Sequence, residues 1–243
     1  MSVLLLGGTA EARELAAALV AAGIAVTTSL AGDVAEPRLP DGEVRVGGFG
    51  GAEGLARYLR EHDISAVVDA THPFAARISA NAAQACATTG VPLLRLERPG
   101  WSQRPDASGW HWVDCLDDAR TAAEALGNRV FLAVGRQELG TFAGWADRYV
   151  LARVVDAPDI EVPGTWEVLR ARGPFRLADE LDLLASRAID VLVTKDSGGA
   201  TDAKLDAAAQ LGVRVVAVRR PQPPAGVPVV ETVDQALAWL ARG

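Results

Sequence analysis

The chain has 243 residues, 49% of them hydrophobic and 23% charged, with a formal net charge of −7. That length accommodates one large α/β domain or two small ones. The acidic balance argues against nucleic acid as a partner, because phosphate backbones call for a basic face, while a local cationic site for a small anion remains compatible with it.

The opening run "MSVLLLGGTAEARELAAALVAAG" lacks a charged leader and breaks at Gly7, so it reads as a strand entering a turn rather than a signal peptide. The pattern predicts strand Val3–Leu6, helix Ala10–Ala22, strands Ala25–Thr28 and Val44–Val46, helix Ala52–Glu61, strand Ala66–Asp69, helix Ala75–Thr89 and strand Leu93–Leu96. Continuous apolar strands alternating with helices mean a parallel sheet covered on both faces. "ERPGWSQRPDASGW" then interrupts the alternation with Pro, Gly and polar residues, which places a domain boundary near residue 100.

A second series follows. It comprises strand His111–Asp114, helix Asp117–Leu126, strand Val130–Val134, a short helix near Gln137–Gly144 and strand Arg148–Val155. Helix Leu177–Ala188, strand Val191–Thr194, helix Ala200–Leu211, strand Arg214–Val218, a Pro-rich crossing and helix Val233–Ala241 complete it. The expected architecture is two doubly wound α/β domains, 1–100 and 101–243. Nowhere does an apolar run approach the roughly eighteen residues of a membrane-spanning helix, so no membrane partner is expected and the protein is placed in the cytoplasm. Cys86 and Cys115, without CxxC spacing, read as core thiols of a reducing compartment. The histidines, His62, His72 and His111, are too scattered for a metal.

In doubly wound sheets ligands bind beyond the carboxyl ends of the strands, and five turns stand out there. In "LLLGGTAEAR", Gly7 and Gly8 let backbone approach a phosphate at the N-terminus of the next helix, with Thr9 and Glu11 alongside. A tight turn capped by Thr9 would use the same letters. The second strand ends in Thr28 and Ser29, where an NAD-binding fold carries Asp or Glu on the ribose. A hydroxyl tolerates a 2′-phosphate, which favours NADP. Asp33 weighs against this, and Arg38 or Arg45 would support it if the loop folds back. "VGGFGG" sets Gly47, Gly48 and Gly50 around Phe49, a loop able to lie against a ligand or a bend plugged by its aromatic ring.

"DATHPFA" brings Asp69, Thr71, His72, Pro73 and Phe74 to the sheet edge, where His72 could contact a cofactor amide or relay a proton. The last turn, "TKDSGGATDAKL", holds both lysines of the chain, Lys195 and Lys204, around Asp196, Ser197, Gly198 and Gly199. Hydroxyls, glycine N–H groups and a helix N-terminus make an anion nest there, and lysine adds a compact charge. Arg98, Trp101, Gly135, Arg136, Arg153 and Arg172 lie at neighbouring loops and strand ends, where arginines would pair with carboxylates.

Together, "LLLGGTAEAR", "VRVGGFGG", "DATHPFAARISANA", "PLLRLERPGW", "VGRQEL", "RGPF" and "VTKDSGG" make the chain resemble the precorrin-6A reductase family of corrin ring (vitamin B12) biosynthesis over nearly its whole length. The resemblance implies two Rossmann-like domains with the active site in the cleft between them. It also implies NADPH-dependent reduction of one carbon–carbon double bond in a macrocycle bearing acetate and propionate side chains. On that reading Gly7–Thr9, Glu11, Ser29, Gly47–Gly50 and Thr71–Phe74 hold NADPH. Arg98, Trp101, Gly135, Arg136, Arg153, Lys195–Gly199 and Lys204 face the polycarboxylate tetrapyrrole, and Lys195, Asp196 and His72 are the catalytic candidates. The proton donor stays open among Asp196, His72 and water. No metal is expected, and the protein is expected as a monomer or weak homodimer. The alternatives are a cobalt-precorrin-6A reductase using NADH and a non-catalytic NADP-binding sensor. A short-chain dehydrogenase falls away, because neither Tyr58 nor Tyr149 has a lysine four residues on.

Overall fold

The computed structural model describes residues 1–32, 39–199 and 202–242. The chain forms two compact α/β units, Met1–Pro99 with Pro221–Gly243, and Gly100–Arg220. The expected second domain, 101–243, is thus cut short, because the last segment returns to the first unit.

The first unit contains β1 (Ser2–Leu6), α1 (Ala10–Ala21), β2 (Ala25–Leu30), β3 (Glu43–Val46), α2 (Gly51–Glu61), β4 (Ala66–Asp69), α3 (Ala76–Thr89) and β5 (Leu93–Leu96). The second contains β6 (His111–Val113), α4 (Leu116–Leu126), β7 (Arg129–Ala133), β8 (Tyr149–Val154), β9 (Trp166–Arg170), α5 (Leu177–Ser186), β10 (Val191–Lys195), α6 (Ala203–Leu211) and β11 (Arg214–Val218). Residues of the short helix expected near Gln137 form a 3-10 turn over Arg136–Phe142. Finally β12 (Val229–Val230) and α7 (Val233–Leu240) belong to the first unit.

Among the described residues both sheets have six strands, in the orders β12-β5-β4-β1-β2-β3 and β6-β11-β10-β7-β8-β9, and every pair is parallel. In each, the winding direction reverses once, between β1 and β4 and between β7 and β10. Parallel strands covered by helices must be apolar on both sides, and β1 shows why. Val3 and Leu5 face the layer of α1 and α7, with Leu15, Leu19, Ala236 and Leu240. Leu4 and Leu6 face α2 and α3, with Leu55, Leu59, Ala82 and Ala85. Each of these β1 side chains is 1% exposed or less, and full burial of such a residue contributes about 1.5–3 kcal/mol. In the second unit Phe131, Leu151 and Leu192 pack against Leu184, Leu205 and Ala208 of α5 and α6.

The helices start and stop on local signals. Thr9 caps α1 by accepting from Ala12 N at 3.1 Å, and α3 ends at Gly90, in the left-handed region at φ 75°. α7 opens with a capping box between Thr232 and Gln235. Cys86 is buried as expected and burial pushes its thiol up to about 12. Cys115 departs from expectation. It is exposed, and its sulfur caps α4 by accepting from Asp118 N.

Candidate functional site

The carboxyl ends of β1 and β4 border the winding reversal of the first sheet, and the turns that leave them are joined. Thr9 Oγ1 donates to Ala70 O at 2.8 Å. Gly7 sits so close to β2 that a Cβ would lie 2.7 Å from Thr28 Cγ2, and Gly8 has φ 115°, so this turn needs both glycines. Thr28 Oγ1, buried beneath it, has no hydrogen-bond partner among the described residues. Glu11, in the first turn of α1, accepts from Arg98 at 2.8 Å. Arg98 therefore sits with the expected cofactor residues, whereas the sequence reading put it with the substrate.

At the ends of β2 and β3, Arg45 Nη1 donates to Ser29 Oγ at 2.9 Å and to Gly47 O at 2.7 Å, and Nη2 donates to Gly48 O at 3.2 Å. The guanidinium lies 3.8 Å from the centre of the Phe49 ring, a stacking that suits its planar cation. Phe49 meets Tyr58 edge-on at 5.2 Å and packs on the core, so it is a plug as well as a platform. Gly47 and Gly50 have φ 110° and 78°, and Gly50 precedes α2. Asp33 and Arg38 lie outside the described residues.

Asp69 ends β4 and accepts from both Thr71 N at 3.1 Å and Thr71 Oγ1 at 2.7 Å. Its other partner was not anticipated. Arg95, its neighbour in register on β5 and 2% exposed, pairs with Asp69 at 2.8 Å and donates to Thr71 Oγ1 at 3.0 Å and Ser79 Oγ at 3.3 Å. The other side of the same guanidinium holds Glu97 Oε2, from Nε at 3.0 Å and Nη2 at 2.8 Å. His72 Nδ1 accepts from Phe74 N at 3.2 Å, which makes Nε2 the protonated nitrogen of a neutral ring. Thr9, Glu11, Thr71, Pro73, Leu96, Glu97 and Arg98 line a small cleft at these strand ends. A larger cavity of about 440 Å³ opens at the opposite, amino-terminal edge of the sheet, beside Met1, Pro92 and Trp239. It is mostly apolar and away from every strand carboxyl end, so it is not the site.

In the second unit the corresponding ends are those of β7 and β10. Lys195 Nζ lies 3.3 Å from Glu138 Oε1, across the reversal, and Gly135, at φ 98°, faces the same ammonium. Arg136 pairs with Asp159 at 3.4 Å. Ser197 donates to Lys195 O through both N and Oγ, and Gly198 and Gly199 have φ 65° and 73°, the folded-back turn expected of a nest.

Three expected site residues are committed elsewhere. Asp196 is 5% exposed, accepts from Trp101 N at 2.7 Å and pairs with Arg220 at 3.5 Å. It anchors the turn, and its carboxylate is not presented as a proton donor. Arg153 is a core residue, bound through both Nη atoms to Glu180, itself 1% exposed, and stacked 3.8 Å from Phe175. Lys204 is 5% exposed and lies 4.4 Å from the centre of the Trp101 ring. Desolvation first, then the nearby Arg153, brings its ammonium down to about 7. Trp101 itself is 4% exposed. Arg172 precedes the cis bond Gly173–Pro174. Arg95, Glu97, Glu138 and Arg220 were missed; only Arg95 carried a signal, a lone charge inside the apolar strand "LLRL".

The family model described as precorrin-6x reductase CbiJ/CobK matches residues 2–241. A precorrin-6A reductase of Rhodococcus erythropolis is 51% identical over 98% of this chain and 96% of its own length. That of Mycobacterium tuberculosis is 49% identical over 98% and 97%. A cobalt-precorrin-6A reductase of Priestia megaterium is 32% identical over 90% and 91%. A solved structure of CobK precorrin-6A reductase superimposes with a TM-score of 0.91 at 41% identity, covering 100% of this chain and 97% of that one.

Proposed function

The chain belongs to the precorrin-6x reductase family and is an oxidoreductase, and on that footing we propose that it reduces one carbon–carbon double bond of precorrin-6A with NADPH, giving precorrin-6B in cobalamin biosynthesis. The identity to relatives named precorrin-6A reductases, 51% and 49%, against 32% to one named for the cobalt-bearing substrate, supports the metal-free macrocycle.

The first unit fits a dinucleotide. Gly7 leaves no room for a side chain, Gly8 holds φ 115°, which side chains rarely adopt, and the turn opens onto the N-terminus of α1, where free N–H groups and the helix dipole suit a pyrophosphate. The observation that carries NADPH rather than NADH is Arg45, fixed to Ser29 Oγ at 2.9 Å where an NAD-binding fold would present a carboxylate. A guanidinium beside a hydroxyl suits a 2′-phosphate. When bound, the cofactor supplies a hydride, two electrons with one hydrogen, to one carbon of the double bond.

The chain's own residues do the rest. Gly7, Gly8 and Thr9 receive the pyrophosphate, Ser29 and Arg45 the phosphorylated ribose, and Thr71 to Phe74 the far end. Lys195, steadied by Glu138, offers a point charge to the macrocycle's carboxylates, and Arg136 a second one. The neighbouring carbon needs a proton. With Asp196 committed to Trp101 and Arg220, the sources that remain are solvent and the imidazolium form of His72, which would give up the bond from Phe74 N.

The test is an assay on purified protein with metal-free precorrin-6A and either NADPH or NADH, following nicotinamide oxidation and the macrocycle's absorption together. Coupled loss of both signals with NADPH is expected. Tight NADPH binding with an unchanged macrocycle would move the reading to the cobalt-bearing substrate or to a sensor.

A further inference from the structure

The hydroxyl of Thr71 has its polarity set from two sides. Its proton goes to Asp69 Oδ1 at 2.7 Å, and the same oxygen accepts from Arg95 Nη1 at 3.0 Å. Thr71 N, donating to Asp69 Oδ1 at 3.1 Å, closes the turn around that carboxylate. A guanidinium can only donate, and the carboxylate, paired with it at 2.8 Å, only accepts. Neither direction can be reversed. Asp69 and Arg95 are each 2% exposed, so neither turns to solvent instead. A hydroxyl oxygen has one proton and two lone pairs. Among the described residues, Thr71 Oγ1 therefore keeps a single lone pair, and Thr71 stands in the wall of the cleft at the strand ends.

An acceptor fixed at that point sorts the parts of a dinucleotide. Phosphate oxygens bring no proton and would meet it lone pair to lone pair. Ribose hydroxyls fit either polarity, so nothing selects them. The carboxamide of a nicotinamide ring carries an –NH2 that can only donate. The topology brings the ring's end to this side. On the cofactor reading Arg45 marks β2 and β3 as the adenosine side, and Thr71 follows β4, across the winding reversal. A buried ion pair adds little stability over an apolar pair of the same volume, and what this one adds is a direction for the hydroxyl.

We propose that Thr71 Oγ1 accepts a hydrogen bond from the carboxamide –NH2 of the nicotinamide ring. The inference rests on the cofactor reading above and deepens it, because it names the group held at the far end and the direction of the bond. A ring held by its carboxamide is restrained from turning about the bond to its ribose, which keeps one face available for hydride transfer.

The test pairs a change in the protein with a change in the cofactor. The 3-acetylpyridine analogue of NADPH keeps the carbonyl oxygen and replaces –NH2 by a methyl group. Dissociation constants of NADPH and of this analogue are measured by calorimetry on the full-length protein without macrocycle. Wild type should prefer NADPH by about three- to tenfold, the scale of one neutral hydrogen bond. Thr71→Val keeps the shape of the side chain without its hydroxyl, and the preference should fall below about twofold. Thr71→Ser, which keeps the hydroxyl, should retain the preference. Disturbance of the turn acts on both ligands alike and leaves their ratio intact. Equal weakening of both by Thr71→Val would mean that the hydroxyl serves the carbonyl oxygen as a donor, and would overturn the inference. A wild type that binds the two equally would overturn it as well, and either result leaves the cofactor reading standing. Failure of the wild type to bind NADPH at all would remove the cofactor reading, and the inference with it.

Discussion

Lys195 Nζ and Glu138 Oε1, 3.3 Å apart, join the carboxyl end of β10 to the turn after β7. These are the two strands between which the second sheet reverses its winding, the place where doubly wound sheets take their ligands. The lysine side chain is 14% exposed, so the carboxylate limits its directions without sealing it from a ligand. An incoming carboxylate meets an ammonium already oriented, and less entropy is lost in recruiting it.

Lys195→Ala should therefore lower kcat/KM for the macrocycle by about a hundredfold, the scale of removing one oriented charge partner. NADPH affinity should stay within about twofold of wild type, since the residues proposed for the cofactor belong to the other unit. Steady-state kinetics together with a fluorescence titration of NADPH check both halves. Collapse of NADPH binding would mean that the two ligands are assigned to the wrong units.

Arg45→Ala removes a cation that touches Ser29 Oγ, Gly47 O and Gly48 O. The preference for NADPH over NADH, as a ratio of kcat/KM, should fall by about ten- to a hundredfold, the worth of one charge-assisted contact. Activity with NADH should be nearly unchanged. Equal losses with both cofactors would show that Arg45 only shapes the loop.

The Arg153–Glu180 pair makes a stability prediction. Its side chains are 7% and 2% exposed, and removing one member of such a pair leaves an uncompensated buried charge. Arg153→Met should cost about 3–5 kcal/mol in urea unfolding, while the double variant Arg153→Met with Glu180→Leu should recover most of that loss. Recovery is the informative outcome, because a direct substrate role for Arg153 would leave the double variant stable but inactive.

Lys204 gives a pH dependence whose sign follows from its lowered value of about 7 against the ordinary 10.5. Between these values the unfolded chain holds a proton that the folded one has lost, so this group makes stability rise with pH across that window. Below about 7 the buried ammonium is charged and its full cost is present. Lys204→Met should therefore raise the melting temperature relative to wild type most at pH 6, and the gain should shrink steadily towards pH 10. A gain that is flat with pH would show that the ammonium is not desolvated.

Most of the fold was legible because parallel strands covered on both faces have to be continuous apolar runs, and those of β1, β4, β7, β10 and β11 are unmistakable. β9 was not. It pairs in parallel with β8 with no helix between them, so the usual strand-helix-strand rhythm was missing, and "WEVLR" carries charges at its second and last positions. Likewise β12 has two residues, too few for any period to show. The turns that carry the site were legible as turns, since glycine and hydroxyl clusters after buried strands have few other uses. What their side chains do was less so. A sequence places Arg153, Asp196 and Lys204 at strand ends and helix starts but does not say that Glu180, Arg220 and Trp101 already occupy them. The partner residues lie between 24 and 103 positions away in the chain, and such pairings exist only once the sheets are wound.

The return of β12 and α7 to the first unit also orders events during synthesis. Val233, Ala236 and Leu240 belong to the same apolar layer as Val3, Leu5 and Leu15, yet the whole of Gly100–Arg220 is translated between them. Domains usually close in the order in which they leave the ribosome. Here the unit begun first must wait with one face of its sheet covered by α1 but not yet by α7, while the unit begun second has every strand it needs. Asp196, gripping Trp101 N at one end of that inserted stretch and Arg220 at the other, ties the ends of the insertion together, so that the late segment is delivered back near the place where the chain departed.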